Sequence, residues 1–441
     1  MGNFRWNYVA LIFLVLPCFF ALETTTSTRT EVEALLKWKS SLLMLSSSSS
    51  SLKSWSLSNL RNLCNWRGIV CCNGGGSSAV SEINLPNADL SVALDQLNFT
   101  SFPNLTRFNI GGNNFRGSIP AAIAHLSNLL FLDLSSNTFD GSIPPQIGKL
   151  RKLQYLNLYS NSFSGVVPHQ IGNLQKVWFL DLGSNLLLDA PDRSKVKSLP
   201  VLRHLSLSRN EFGSRFPDFI LGCRNLTYLD LSGCNLNGSI PESLFTSLEN
   251  LEQLDLSDNK FSGPLSPSIG NLSSLKHLNL FTNSFQGEIP FSIGQLKDLE
   301  VLDSSYNSFQ GKIPPSIGQL KNLQVLDISY NHLNSTIPYE LGRCTNLTHL
   351  TLTNNSLFGV LPSSMSSLTK LLKLDLSRNF LSGNISPYFV SNCTKLMSLD
   401  LSSNSFIGSI PSEFGLLTNL EHLSLGANKI SGTIPPHIGN L

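Results

Sequence analysis

Eight aspartates recur in one register along this chain: Asp133, Asp181, Asp230, Asp255, Asp303, Asp327, Asp375 and Asp400. Paired carboxylates can act as general acid and base, and clustered ones can hold a hard cation. Both tasks need groups that converge on one point. These eight instead occupy the same place in L-D-x-S or a near variant. They therefore form a column of solvated repeat residues, not a catalytic pair. Other chemical signatures are absent from the sequence. It has no G-x-S-x-G, H-E-x-x-H, H-R-D or D-F-G, and no G-x-G-x-x-G opening a helix; Gly74–Gly76 is a loop. No C-x-x-C pair or histidine cluster offers zinc ligands. No catalytic residue, metal or cofactor is expected.

A second residue recurs more strictly. Asparagine stands at 113, 137, 161, 185, 210, 259, 283, 307, 331, 355, 379, 404 and 428, with Cys234 in the remaining slot, at steps of 24 or 25 residues. Around it runs L-x-x-L-x-L-x-x-N, followed by x-F/L-x-G-x-I-P-x-x-I-G-x-L. A degenerate first unit passes through Ile83 and Leu85 with Ala88 in the asparagine place, giving about fifteen units. This period, with Asn or Cys at the turn, resembles the leucine-rich repeat. Each L-x-L is a short strand whose alternate side chains face opposite ways. Leu132 and Leu134 point to the core; Phe131, Asp133 and Ser135 face a concave surface. The inward asparagine amide can serve turn backbone groups of neighbouring coils. Cys234 fits the slot as a small buried group with a weaker donor. No coil buries its leucines alone, so stability must come from stacking.

The G-x-I-P segment refines the reading. Gly117, Gly141, Gly238, Gly287, Gly311, Gly408 and Gly432 permit a tight turn. Pro120, Pro144, Pro241, Pro290, Pro314, Pro411 and Pro435 fix φ and cannot donate to a ladder. The convex side should be short strands and irregular or 3₁₀ turns. This resembles the plant-specific class of leucine-rich repeats over essentially all of residues 80–441. The resemblance implies an α/β-type repeat solenoid: a superhelix with a parallel concave β-sheet, convex 3₁₀ and short-strand turns, and a helical, disulfide-bonded N-terminal cap. One unit departs: after Asn185, LLLDAPDRSKVKSLPVL lacks G-x-I-P, which predicts a convex bulge or short helix.

Residues 1–22 read as a secretory signal, with Arg5 before an apolar run from Val9 to Phe20. Residues 23–79 form the cap. Within it Glu31–Ser41 should be an amphipathic helix carrying Val32, Leu35, Leu36 and Lys39 or Leu42 near one face, and the serine run Ser46–Ser51 a loop. Residues Trp55 to Cys71, W-x8-C-N-W-R-G-I-V-C, resemble the cap of plant receptor kinases. That resemblance implies a Cys64–Cys71 disulfide beside a buried tryptophan, with Cys72 as a competing neighbour. Cys223, Cys344 and Cys393 sit at equivalent places on separate coils, too far apart to bridge, and read as buried free thiols. The chain stops at Leu441 inside a convex segment with no capping cysteine pair. That leads us to expect a longer natural protein, with transmembrane and kinase regions beyond.

Only 14% of residues are charged and the net charge is +2, which argues against nucleic acid as a partner. The side chains six places before each ladder residue share one concave column: Tyr155, Phe179, His204, Tyr228, Gln253 and His277. Tyr159, Trp178, Arg203, Arg209 and Phe281 flank it. Elsewhere the column is blander, with Val301, Val325, Lys373 and Ser398. Exposed aromatics beside arginine are the usual anchors of interfaces. An extended peptide could lie across this band, its backbone bonding to Asn157, Ser206, Asp230 and Asn279. Ten sequons, at Asn98, Asn104, Asn225, Asn237, Asn271, Asn334, Asn346, Asn354, Asn384 and Asn392, suit a glycosylated surface protein.

The phrase SNCTKL, the G-x-I-P-x-x-I-G-x-L spacer and the cap resemble the receptor-like kinases related to the MDIS-interacting receptors. The resemblance implies an extracellular sensor in the secretory pathway and at the plasma membrane, taking part in development or defence. Its ligand would be a secreted peptide or small protein, its partner a co-receptor kinase with a short leucine-rich-repeat ectodomain. Some relatives read a peptide carboxylate with Arg-x-Arg; none exists here. The alternative is a secreted inhibitor of pathogen cell-wall hydrolases, similar to polygalacturonase-inhibiting proteins, or a non-signalling decoy.

Overall fold

The computed structural model describes residues 26–43, 52–74, 77–189 and 195–441. The signal at 1–22, the serine run and part of the unit lacking G-x-I-P lie outside them. Of that unit, Lys195 has 3₁₀ backbone and residues 196–199 have no regular structure.

One sheet runs the length of the described chain. It has sixteen strands, in sequence order apart from the short convex strands between them. Fifteen are parallel, from Ser77–Asn84 to His422–Ser424, as expected from the repeat count. The sixteenth corrects the expectation of a purely parallel sheet. Ile69–Gly74, from the cap, pairs antiparallel with Ser77–Asn84; of the loop expected at Gly74–Gly76, Gly74 ends this strand and the other two residues lie outside the described ones. The cap strand covers the sheet edge that the first coil would otherwise leave unpaired.

The strands hold register because each presents one apolar residue inward, Ile83 and Phe108 in the first two parallel strands and a leucine in those that follow. Leu132, Leu156, Leu180, Leu205, Leu229 and Leu254 align as successive partners, all essentially inaccessible. A second apolar column, two residues after the ladder asparagine, stacks phenylalanines. Phe115, Phe139 and Phe163 lie 6.0 and 5.9 Å apart, and Phe261, Phe285 and Phe309 lie 6.3 and 6.0 Å apart.

On the convex side most spacers form five-residue 3₁₀ turns, such as Pro145–Lys149 and Pro315–Gln319. Two form six-residue α-helices instead, Glu242–Ser247 and Pro387–Asn392. Both fall in units of 25 rather than 24 residues, between Cys234 and Asn259 and between Asn379 and Asn404. The added residue supplies the longer i→i−4 loop. Short flanking strands after the ladder asparagines make four small parallel sheets.

At the front, the helix runs Thr26–Leu43, longer than the sequence reading. Val32, Leu35, Trp38 and Leu42 are buried, Leu36 and Lys39 only partly. Trp38, Trp55 and Trp66 pack in succession at 6.2 and 5.8 Å, and Trp38 stacks on Phe115 at 5.9 Å. The Trp55 indole N–H donates to the Arg67 carbonyl at 2.9 Å. Cys64 and Cys71 form the disulfide, their Cα atoms 5.4 Å apart. Cys72 stands outside it, its Sγ 3.7 Å from the Ala79 carbonyl oxygen. Cys223, Cys234, Cys344 and Cys393 are buried free thiols.

Candidate functional site

In each concave strand the first residue faces outward and the second inward, so the outward residues of neighbouring strands meet in register. His204 pairs across to Phe179 on one side and Tyr228 on the other. The rings respond by stacking. Phe131–Tyr155, Tyr155–Phe179, Phe179–His204 and His204–Tyr228 have centroids 4.2, 4.3, 4.2 and 4.1 Å apart, with planes within 12° of parallel. These spacings are shorter than the ~4.8 Å between strands, so the rings lean along the sheet into contact. The Arg107 guanidinium caps one end, 3.8 Å from the Phe131 centroid, a cation–π contact. Arg107 also pairs with Glu82 at 3.5 Å. Trp178 stands edge-on to Tyr155 and Phe179 at 6.0 and 5.8 Å.

Four members of the column expected from the sequence, Tyr155, Phe179, His204 and Tyr228, are therefore one continuous stack; Gln253 and His277 follow in register without joining it, and at the other end it runs further than expected. Arg107 and Phe131 belong to it. Their signal was available, since both lie six places before Asn113 and Asn137. Tyr155, Tyr159, Trp178, Phe179, Arg203, His204, Tyr228, Asp230, Gln253, His277 and Asn279 all line a single open groove of about 1640 Å³. Lys176, Arg209, Asp181 and Asp255 join them. Phe281 does not; it packs edge-on against Tyr306, 5.5 Å away.

The polar row beside the stack is more committed than the sequence suggested. Asp230 Oδ1 accepts from the Ser232 N–H at 2.9 Å and hydroxyl at 2.7 Å. Asp133, Asp255, Asp303, Asp327 and Asp375 repeat this pair with the serine two residues on. The aspartate column thus pins the turn that ends each strand. Ser206, expected to meet a ligand backbone, is 4% exposed and faces the Ser208 hydroxyl at 3.1 Å. Asn157 accepts from the Tyr159 N–H at 3.0 Å. Asn279 donates to Asp255 Oδ2 at 2.9 Å. Each of these four has spent part of its capacity on its own turn or on a neighbour. The groove's buried unsatisfied atoms among the described residues are elsewhere, at Gln253 Oε1 and His277 Nδ1, on adjacent strands.

Burial sets the electrostatics. It depresses His204 to about 4, so the stack holds a neutral imidazole and no charge repels its partners. It raises Asp181 to about 6, helped by the charge of Asp230 and opposed by the Gly183 N–H. Asp230 is raised by burial and then by Asp255. Tyr228 is raised by burial and by the carboxylates of Asp230, Asp255 and Asp181. The floor is thus aromatic and uncharged, with carboxylates along one side and Arg203, Arg209 and Lys176 around it. Such a surface suits recognition. It aligns no nucleophile with a base.

None of the ten sequon asparagines is buried. Several already use the amide nitrogen: Asn225 donates to the Pro200 carbonyl at 2.6 Å and Asn346 to that of Lys321 at 2.8 Å.

Comparison with known proteins agrees with this architecture. The leucine-rich-repeat N-terminal domain family matches residues 29–72. A leucine-rich-repeat region matches 254–378, and single leucine-rich repeats match 104–126, 128–150, 152–174, 225–247, 395–417 and 419–441. The plant peptide hormone receptor RGFR1, solved in complex with RGF2, superposes with a TM-score of 0.74 at 36% identity, over 86% of this chain and 62% of that one. A TDR receptor gives 0.74 at 32% identity, over 81% and 65%. MDIS1-interacting receptor like kinase 2 of Arabidopsis thaliana is 35% identical over 120 residues, which are 27% of this chain and 11% of that protein. The matched part thus spans about a tenth of that kinase, and less than two thirds of either solved receptor chain. By its cap, its repeats and its sheet, the chain is a leucine-rich-repeat protein, with homologues among plant leucine-rich-repeat receptor kinases and structural neighbours among plant receptor ectodomains.

Proposed function

We propose that this chain is the extracellular ligand-sensing region of a cell-surface receptor, reached through the secretory pathway. It binds a secreted peptide or small protein in the concave groove and then recruits a co-receptor kinase with a short leucine-rich-repeat ectodomain. One observation carries the reading: apart from Phe281, the concave residues expected from the sequence to meet a ligand line the same groove, around an unbroken aromatic stack. The similarity to a receptor solved with a peptide hormone supports it.

Stacking also decides how a ligand is met. The faces of Tyr155, Phe179 and His204 are covered by each other, so they offer edges, while Trp178 meets the stack only edge-on and Arg203 is exposed in the groove beside it. These two are the anchors. Gln253 and His277 each keep a buried side-chain atom without an internal partner, and a ligand with amide donors at that end would satisfy both once these side chains turn outward.

A displayed peptide library selected on the folded, secreted chain tests this. Peptides enriched on the wild type should bind Trp178→Ala and Arg203→Ala at least tenfold more weakly, with unchanged circular dichroism. Enriched peptides that bind both variants as well as the wild type would remove the groove from the proposal. Inhibition of a fungal polygalacturonase at nanomolar concentration would replace the receptor reading with the inhibitor one.

A further inference from the structure

The residue before each ladder asparagine has left-handed backbone. Thr282, Tyr306, Tyr330 and Asn354 have φ of 50°, 53°, 51° and 54°. They lie on consecutive coils, so their side chains rise side by side along the ridge where the concave strands end. Tyrosine is unfavourable there, whereas asparagine is among the residues that accept it. The Tyr306 and Tyr330 rings stack with centroids 4.1 Å apart and planes 10° from parallel, and Tyr306 is 46% exposed. The next place in the column is Asn354, the first residue of Asn354-Asn355-Ser356. These residues line one shallow cavity of about 560 Å³, outside the concave groove.

The sequon is held in a defined pose. Asn355 is a ladder residue, its amide donating to the Ile328 and Leu352 carbonyls at 3.0 and 3.2 Å. The Ser356 N–H donates to the Leu333 carbonyl at 2.8 Å. Asn354 is exposed, and its side-chain amide has no partner among the described residues. That distinguishes it from Asn225 and Asn346, whose amides are already engaged.

An asparagine amide ends well short of a tyrosine ring. A pyranose joined to it reaches ring height, one strand spacing of about 4.8 Å from Tyr330. The C–H groups on a pyranose face carry partial positive charge, and the face of a tyrosine is negative. We propose that Asn354 carries an N-linked glycan whose first N-acetylglucosamine stacks on Tyr330 and extends the Tyr306–Tyr330 stack by one place. The tyrosine pair is then a docking platform for the chain's own sugar. In the modification, Nδ2 bonds to sugar C1 as the C1–O bond to a lipid-pyrophosphate carrier breaks. The amide gives up one proton, and the pyrophosphate leaves with the electron pair.

The inference shares with the proposed function the passage through the secretory pathway, and sugar at Asn271 or Asn384 reports that passage separately. The test uses the full chain secreted from a eukaryotic host. Glycopeptide mass spectrometry should find Asn354 occupied. Native digestion with peptide N-glycosidase should release its glycan at least threefold more slowly than that of Asn384. Tyr330→Ser should abolish the lag and Tyr330→Phe should keep it. With carbon-13-labelled sugar, the first residue at Asn354 should show ring-current-shifted protons in the unmutated protein, whatever the variants do. Bare Asn354 beside modified Asn271 or Asn384, unshifted sugar protons, or equal release rates in all three proteins would overturn the inference. Absence of sugar at every sequon would overturn it together with the secretory reading.

Discussion

A single amide does most of the joining between coils. Asn137 accepts from the Phe115 N–H at 3.0 Å and donates to the carbonyls of Ile110, Leu134 and Ser135 at 3.0, 3.1 and 3.0 Å. Asn137→Ala leaves a buried N–H and carbonyls without a partner, so it should cost about 2–4 kcal/mol, read as a lowered midpoint in urea. Cys234 replaces only the donor, its thiol reaching the Leu207 and Ser232 carbonyls at 3.1 and 3.5 Å. By register, an asparagine there would also accept from the Phe212 N–H. Cys234→Asn should therefore stabilise by roughly 1 kcal/mol; an unchanged or lower midpoint would mean that the pocket has closed around sulfur. The slot was legible because its chemistry admits few side chains. What Ser206 does was not, since the alternation that marks it as outward says nothing of the depth of the groove floor.

At the scale of the repeat element, two glycines do different work. Gly311 in G-x-I-P has φ of 76°, a left-handed turn that glycine allows without strain. The glycine of I-G-x-L has ordinary φ and is small for another reason. A Cβ on Gly318 would run into the Glu340 backbone carbonyl of the next coil, as would one on Gly294 with Ser316 and one on Gly342 with Ser364. Gly318→Ala should thus cost about 1–3 kcal/mol, while the same change at Gly439, which has nothing nearby, should cost a few tenths. Equal midpoints for the two variants would remove coil-to-coil approach as the cause. The concave stack is also an element-scale object. Phe179→Ala opens it between Tyr155 and His204, so it should lower stability as well as any binding; Trp178→Ala, at its edge, should lower binding with little loss of stability.

Over the whole molecule, nearest-neighbour stacking makes the repeat the unit of stability. Deleting residues 284–307, one period from after Asn283 to Asn307, should leave a folded, secreted solenoid with its circular dichroism per residue intact. Deleting 284–295 should not. Failure of the first to fold would refute stacking as the source of stability. The pH dependence of that stability has two opposed parts. Burial raises Glu31 from 4.5 to about 7, with the Val80 N–H as a smaller opposing effect. The folded state therefore binds the extra proton between those values, and this contribution is present below about pH 4.5 and lost as pH rises through 7. Burial lowers His204 from 6.5 to about 4. There the unfolded state binds more protons, so this contribution grows as pH rises from 4 to 6.5. Relative to the wild type, Glu31→Gln should make the thermal midpoint rise more, or fall less, between pH 4.5 and 7, and His204→Phe should do the reverse. Parallel profiles would show that neither group is buried in solution as it is here.

The sequence by itself determined the solenoid, its fifteen parallel strands, the 3₁₀ convex turns and the column of candidate ligand residues. Each follows from a spacing that the backbone converts into a shared face: two residues across a strand, 24 or 25 between coils. Tertiary structure decided what happens between side chains that share a face. The rings of Phe131, Tyr155, Phe179, His204 and Tyr228 lean into one stack because the strand spacing exceeds their contact distance by only a fraction of an ångström. Ser206 withdraws, the aspartates turn to their own serines, and an antiparallel strand from the cap closes the sheet's first edge. Periodicity is blind to these outcomes, because they depend on the width of a gap, the tilt of a ring and the partner a polar atom finds first.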